Sequence, residues 1–404
     1  MEEGKKMTRK QIAGFIIVGV ATTCSCKRNY APLVVTTNHN YLVVEGVISA
    51  GGDSTIIKLS RTIQISAANK HKYEIGAKVT VNDDQGTTYP LNEVDSGRYN
   101  AAAITDASRK YRLNITTTDG KTYQSDLVPV DVTPPLDSVE FEAVSNDVNI
   151  YADTHDATNK TKYYRWDYVE TYIWESIMDE PWEFDNSYKA VSNKFRLRTP
   201  AEQVHLCYDN KDDGTVFVAS AANLKQSVVN RIPITQIAST DERIVHKYSI
   251  AVKQYAISSA AYTFWAQIKK NTEQIGTIFD VQPSEIQGNI RCTSNPGVPV
   301  VGYISASTVS QKRIFIDRTM LPAWPILPQT EPCAFQKLPV PPFWYGNNIP
   351  SDITSGVWIP TDSVRKSFDP KAGDTLFSVI TVIYNCVDCR YHNHGTTVKP
   401  AFWK

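Results

Sequence analysis

Ala77-Lys78-Val79-Thr80-Val81, then Asp83-Asp84-Gln85-Gly86, then Thr87-Thr88-Tyr89-Pro90-Leu91 follow one another almost without a break. Val79 and Val81 alternate with Lys78 and Thr80, the period of a half-buried strand. Turn residues come next, and β-branched and aromatic residues resume after them, so the stretch predicts a β-hairpin. The pattern spreads outward in both directions. Tyr41 to Ile48 and Thr55 to Ser60 precede it as strands, and Ser96-Gly97 marks a turn before Arg98-Tyr99. Tyr111 to Ile115 alternates again, and Asp119-Gly120 is a type I′ hairpin signal leading into Tyr123. Roughly seven strands at short spacing predict an immunoglobulin-like or transthyretin-like sandwich over residues 38–132.

Thr133-Pro134-Pro135 closes that unit, and a larger β-rich domain with at least one helix is expected over 133–404. Lys162 to Trp174 is its most regular strand, with Tyr164, Trp166, Tyr168, Tyr172 and Trp174 on one face and Arg165, Asp167 and Thr171 on the other. The aromatic ladder is either a wall of the core or a sugar-stacking platform; burial of large aromatics favours core. Ser258 or Ser259 can cap a helix that places Ala261, Trp265 and Ile268 on one face. Nine prolines fall between Pro322 and Pro360, and each lacks the N–H that a central strand needs. Residues 322–360 therefore read as a long loop. Its aromatics Trp324, Trp344, Tyr345 and Trp358 are the candidate ligand or partner surface.

The start of the chain carries a targeting signal. Lys5, Lys6, Arg9 and Lys10 run into the apolar segment Ile12 to Ala21, too short to span a bilayer as a mature helix. Small residues lead from there into Cys26, with Ser25 before it, as a lipoprotein signal peptidase requires. Residues 1–26 are expected to be a signal peptide ending at the lipidation site Cys26, and 27–37 a tether. The competing reading is a plain secretory cleavage near Ala21-Thr22-Thr23, which would release the protein. Acyl chains hold a protein at about 0.8 kcal/mol per buried CH2, so the mature chain would be tethered to the membrane, not inserted in it.

Forty-two basic and forty-two acidic residues cancel, which gives no reason to expect a nucleic-acid partner. No Gly-x-Ser-x-Gly, His-Glu-x-x-His or phosphate-binding loop occurs. A non-enzymatic protein without a cofactor is the expectation. Beyond Cys26 stand Cys207, Cys292, Cys333, Cys386 and Cys389, an odd number in a chain bound for an oxidising compartment. Cys386-Val-Asp-Cys389-Arg-Tyr-His392-Asn-His394 has metal-like spacing and could make a tetrahedral zinc site. Against it stand disulfides, closed within the Cys-x-x-Cys pair or made outward, for example to Cys333 or Cys207, and unpaired structural thiols.

Several motifs resemble one family. Leu42-Val43-Val44-Glu45-Gly46 with Leu59-Ser60-Arg61-Thr62, Gln254-Tyr255-Ala256-Ile257-Ser258, Tyr262-x-Phe264-Trp265, Gly276-Thr-Ile-Phe279-Asp280 and Cys386-x-Asp388-Cys389 are similar to domain-of-unknown-function family 4249, lipoproteins of Bacteroidota. The resemblance implies an outer-membrane lipoprotein, often encoded beside TonB-dependent, SusC-like receptors, and brings no catalytic residues. The family's end usually carries Gly-Gly where Asn393-His394-Gly395 stands here, which weakens the metal reading. Lys27-Arg28-Asn29, not acidic residues, follow Cys26, so neither the periplasmic nor the outer face is selected. The expected function is a lipid-anchored accessory protein of such a transporter or of its substrate. A glycan-binding surface lipoprotein is the alternative, and a metal-dependent hydrolase comes third.

Overall fold

The computed structural model describes residues 40–63, 72–179, 181–184, 195–211, 215–273, 287–326, 333, 335–339, 358–369, 373–392 and 395–403. Alternation makes the strands. Thr55, Ile57, Leu59 and Arg61 of one strand are buried, while the residues between them are half-exposed. The first eight strands are β1 (Leu42–Ser49), β2 (Thr55–Arg61), β3 (Lys78–Asp83), β4 (Thr88–Asp95), β5 (Arg98–Ala101), β6 (Lys110–Thr116), β7 (Thr122–Ser125) and β8 (Val128–Asp131). Then come β9 (Leu136–Val144), β10 (Asp147–Asp156), β11 (Tyr163–Glu175), β12 (Trp182–Phe184) and β13 (Phe195–Leu197). They are followed by β14 (Leu206–Lys211), β15 (Phe217–Ser220), β16 (Ser227–Ala238), β17 (Lys247–Ala256) and the helix α1 (Ser259–Glu273). The chain continues as β18 (Ile290–Cys292), β19 (Val300–Gly302), β20 (Ser305–Ser307) and β21 (Val309–Asp317). Last come β22 (Phe335–Pro339), β23 (Trp358–Asp369) and β24 (Gly373–Ile383).

The N-terminal strands close on themselves. The ring runs β6–β3–β4–β5–β2–β1–β20–β8 and returns to β6, an eight-stranded barrel. Two strands turn its corners: β4 pairs with β3 through Leu91 and with β5 through Asn92, and β8 pairs with β6 through Pro129 and with β20 through Val130. Leu42, Val44, Ile57, Val81, Leu113 and Ile304 fill the interior. The sandwich expected over residues 38–132 is thereby corrected to a barrel. An open sandwich leaves unpaired edges, and here the closing strand, Ser305–Ser307, comes from a part of the chain that no local pattern links to β1. The return path is tight. Gly302 has φ +149°, and a Cβ there would lie 2.3 Å from the Val44 carbonyl oxygen.

Face-to-face sheets do occur, but downstream. The three-stranded sheet β16–β10–β9 packs on β14–β11–β17–β21, with β15 added beside β11. Tyr164, Trp166, Tyr168, Tyr172 and Trp174 lie buried between them with Val148, Ile150 and Ile250, so the ladder is core. Glu170 shares that face and is fully buried. Its Oε1 accepts hydrogen bonds from Arg243 Nη1 and from the Tyr248 hydroxyl, both at 2.7 Å. Burial, then the Glu170 carboxylate, drives the Tyr248 pKa well above the usual phenol value.

Ser258 caps α1 by accepting from the Ala261 N–H at 3.2 Å. Ala261, Phe264 and Trp265 are buried as the helix packs on β11 and β15. The proline-rich segment is corrected at its two ends. Phe335–Pro339 and Trp358–Asp369 are strands, each an edge of the sheet β22–β24–β23. Pro339 and Pro360 lie on those edges, Pro360 beside a register irregularity, while the central strand β24 has no proline.

The junction after residue 132 is not a loose linker. Thr133 Oγ1 is 2.8 Å from Ser307 Oγ and accepts the Ala256 N–H at 2.9 Å. Gln254, fully buried, donates to the Pro134 carbonyl and to Thr154 Oγ1, each at 2.9 Å, and accepts from Trp166 Nε1 at 2.9 Å. Replacing Gln254 with leucine strands three buried polar groups at once. Urea unfolding of Gln254→Leu is expected to show a loss of about 3 kcal/mol or more, and an unchanged midpoint would contradict this role.

Candidate functional site

Between the barrel and the aromatic sheet lies a cleft of about 100 Å3. Barrel strands bring Glu45, Ser49, Lys58 and Arg98 to it, and β11 and β17 bring Arg165, Asp167, Lys253 and Tyr255. Arg165 is on the face of β11 opposite the aromatic ladder and is only 4% exposed. Its guanidinium lies over the Trp265 ring of α1, 4.6 Å from the centroid, a desolvated cation–π contact. Asp167 Oδ2 is 3.7 Å from Arg165 Nη2, and the Tyr255 hydroxyl donates to Asp167 Oδ1 at 3.2 Å. Burial, then Asp167, raises the Tyr255 pKa well above that of a free phenol. Lys253 Nζ is held 2.7 Å from Asp53 Oδ2.

The cleft is rich in donors that the chain does not satisfy. Ser49 Oγ, Arg98 Nε, and Arg165 Nε and Nη1 are buried without a hydrogen-bond partner. No histidine is among the described residues that line it, so its hydroxyls have no imidazole base beside them. The arrangement can bind and orient an acceptor-bearing group. The signal that could have found it was a charged pair, Arg165 and Asp167, on the back of an aromatic strand. Their partners Ser49 and Arg98 are far away in sequence and carry no motif.

Among the described residues, the cysteines, His392 and Trp324 singled out in the sequence do not line this cleft. Cys207 is bonded to Cys389 and Cys333 to Cys386, with Cα separations of 5.6 and 5.9 Å. Cys292 is free and buried. The zinc alternative at Cys386, Cys389, His392 and His394 is corrected for this reason: both sulfurs are consumed in disulfides, and neither is available as a thiolate. His394 lies outside the described residues, as do Cys26, Trp344 and Tyr345. Trp358 is placed by its backbone alone, opposite Ile383 at the start of β23. Trp324 is half-buried against the aromatic core, and its Nε1 donates to the Ser145 carbonyl at 3.1 Å. That contact fixes Trp324 as an anchor of its own segment.

His392 belongs to a different cluster. It stacks on Trp174, ring centroids 4.1 Å apart and 5° from parallel. Its Nδ1 is 3.0 Å from Asp209 Oδ2 and its Nε2 3.2 Å from Glu242 Oε2. Burial works against the charge, but the two carboxylates outweigh it and raise the His392 pKa to about 9. The Cys207–Cys389 bridge and this ion triad together hold the C-terminal segment on β14 and β11.

Two outcomes follow for this tail. Cys207→Ser is expected to lower unfolding stability by about 3–5 kcal/mol, because the bridge closes a very long loop; peptide mapping that pairs Cys389 with Cys386 would contradict the assignment. His392 binds its proton more tightly folded than unfolded. Its contribution is therefore complete below the ordinary pKa of 6.5, shrinks as pH rises, and is gone above about 9. His392→Gln is expected to flatten the fall in stability across that window, and an unchanged slope in pH-dependent melts would count against the triad.

The comparisons with known proteins bear on family. No curated protein matches this chain. Among solved structures, a two-domain fibronectin type III segment of chicken tenascin is 10% identical at a TM-score of 0.16, over 54% of this chain and 90% of that one. A Bacteroides uniformis protein assigned provisionally to carbohydrate binding is 8% identical at a TM-score of 0.17, over 68% and 98%. Likeness at these scores carries no argument about fold or ligand. The family model for a domain of unknown function, DUF4249, matches residues 28–313. That span is most of the chain, and the protein belongs to the DUF4249 family.

Proposed function

We propose that the protein is a lipid-anchored, non-enzymatic accessory protein of the outer membrane that works with a TonB-dependent, SusC-like transporter or with that transporter's substrate. The observation that carries the binding part is the cleft, whose lining residues Ser49, Arg98 and Arg165 hold buried donors with no partner among the described residues. Cys26 at the end of the apolar run supports the anchor, and membership of DUF4249 supports the placement at the outer membrane. Ion pairs and disulfides absorb the other clusters described: Glu170 with Arg243, His392 with Asp209 and Glu242, and the four bonded cysteines. The glycan-binding alternative loses the Tyr164–Trp174 ladder as its platform, since that ladder is enclosed between two sheets, and its other platform, at Trp344, lies outside the described residues.

Cys26→Ala is expected to move the protein from the membrane to the soluble fraction, and retention in the membrane would reject lipidation at that residue. An affinity pull-down of the lipidated chain from detergent-solubilised membranes, read by mass spectrometry, is expected to recover a β-barrel transporter in stoichiometric amount. Recovery of the lipoprotein alone would overturn the partnership.

A further inference from the structure

Three separate strands deliver unsatisfied polar groups to one cleft. Ser49 at the end of β1 is 2% exposed, and its hydroxyl has no partner. Arg98 opens β5 with Nε unpaired, and Arg165 in β11 has two nitrogens unpaired while 4% exposed. Eleven buried side-chain atoms among the described residues lack a partner, and four of them belong to three residues that line this one cavity. A buried group left without a hydrogen bond is costly, and more so when it is charged. Such a concentration is difficult to explain as packing error and straightforward to explain as a site.

The chemistry of the lining narrows the occupant. Among the described lining residues Lys58, Arg98, Arg165 and Lys253 stand with Glu45 and Asp167, so basic groups outnumber acidic ones there. Asp53 answers Lys253 from the rim. A singly charged anion balances this surplus, whereas a doubly charged tetrahedral oxyanion would be repelled by Glu45 and Asp167. Guanidinium groups pair with planar carboxylates through charge-assisted hydrogen bonds. Ser49, Ser54 and Thr215 add hydroxyls to the wall, and Tyr255 adds ring surface. The cavity holds on the order of seven to ten water-sized units, at roughly 10–15 Å3 each. We infer that this cleft binds a small hydroxylated carboxylate, its carboxylate against Arg165 and Arg98 and its hydroxyls toward Ser49 and the neighbouring serine and threonine.

This inference does not depend on the transporter partnership, and its test contains no transporter. The full chain, purified in detergent, is titrated with L-lactate, D-gluconate and D-glucuronate by calorimetry, with D-glucose and sulfate as neutral and dianionic counterparts. Tryptophan emission is followed in parallel, because Trp265 stacks on the Arg165 guanidinium. At least one of the three acids is expected to bind at least tenfold more tightly than glucose or sulfate and to change an emission signal that Trp265→Phe removes. Arg165→Met and the half-buried Arg98→Met are each expected to weaken that binding at least tenfold. The exposed Arg231→Met is expected to leave it unchanged. Should Arg165→Met not fold, Arg98→Met alone decides. Failure of all three acids, equal binding of sulfate or glucose, or wild-type affinity in the arginine variants would overturn the site.

Discussion

The hydrogen bonds around Thr133 hold the two halves of this protein in one frame. Its side chain meets Ser307 of the barrel-closing strand and the Ala256 N–H at the end of β17, and its own N–H donates to Thr308 Oγ1 at 2.8 Å. Leu136 N–H donates to Ser310 Oγ across the same seam. Two connections cross here side by side. β8 leads to β9 through Thr133-Pro134-Pro135, and β20 leads to β21 through Thr308 alone. A barrel and a sandwich joined by a single flexible segment would move relative to each other. Joined by two short, bonded crossings, they share one hydrogen-bond network that reaches the core through Gln254 and Trp166.

That frame accounts for the cleft. With β1 and β5 on one side and β11 and β17 on the other, the charged back of the aromatic strand faces the barrel wall, not open water. The two buried ions of β11 meet opposite fates. Glu170, on the ladder face, meets Arg243 and Tyr248 through Oε1, leaves Oε2 without a partner, and is part of the core. Arg165, on the other face, finds an indole ring and a distant carboxylate, and two of its nitrogens find nothing. The difference is in what surrounds them: Glu170 shares one oxygen between a guanidinium and a phenol inside the core, whereas Arg165 belongs to the lining of a cleft.

The end of the chain is held by different means. Cys386 and Cys389, three residues apart, bond to cysteines on different segments, so the Cys-x-x-Cys pair acts as a double staple. One staple reaches β14 and the other Cys333, two positions before β22. His392 adds a charged contact on the surface of the same sandwich, stacked on the last aromatic of the ladder.

By itself the sequence determined the strand-rich character of the chain, the hairpin turn at Asp119-Gly120, where Gly120 adopts φ +81°, the capped helix after Ser258, and the burial of the Tyr164–Trp174 ladder. These features follow from period-two and period-3.6 patterns and from turn chemistry, which act over a few residues. Only the tertiary structure decided that the strands from Leu42–Ser49 to Val128–Asp131 close into a barrel, because the strand that closes them is supplied by Ser305–Ser307. It also decided which cysteines pair, and it brought Ser49, Arg98 and Arg165 to one cavity. Closure, pairing and convergence depend on contacts between residues far apart along the chain, and local periodicity does not record which distant segment a strand edge, a thiol or an unsatisfied donor will meet.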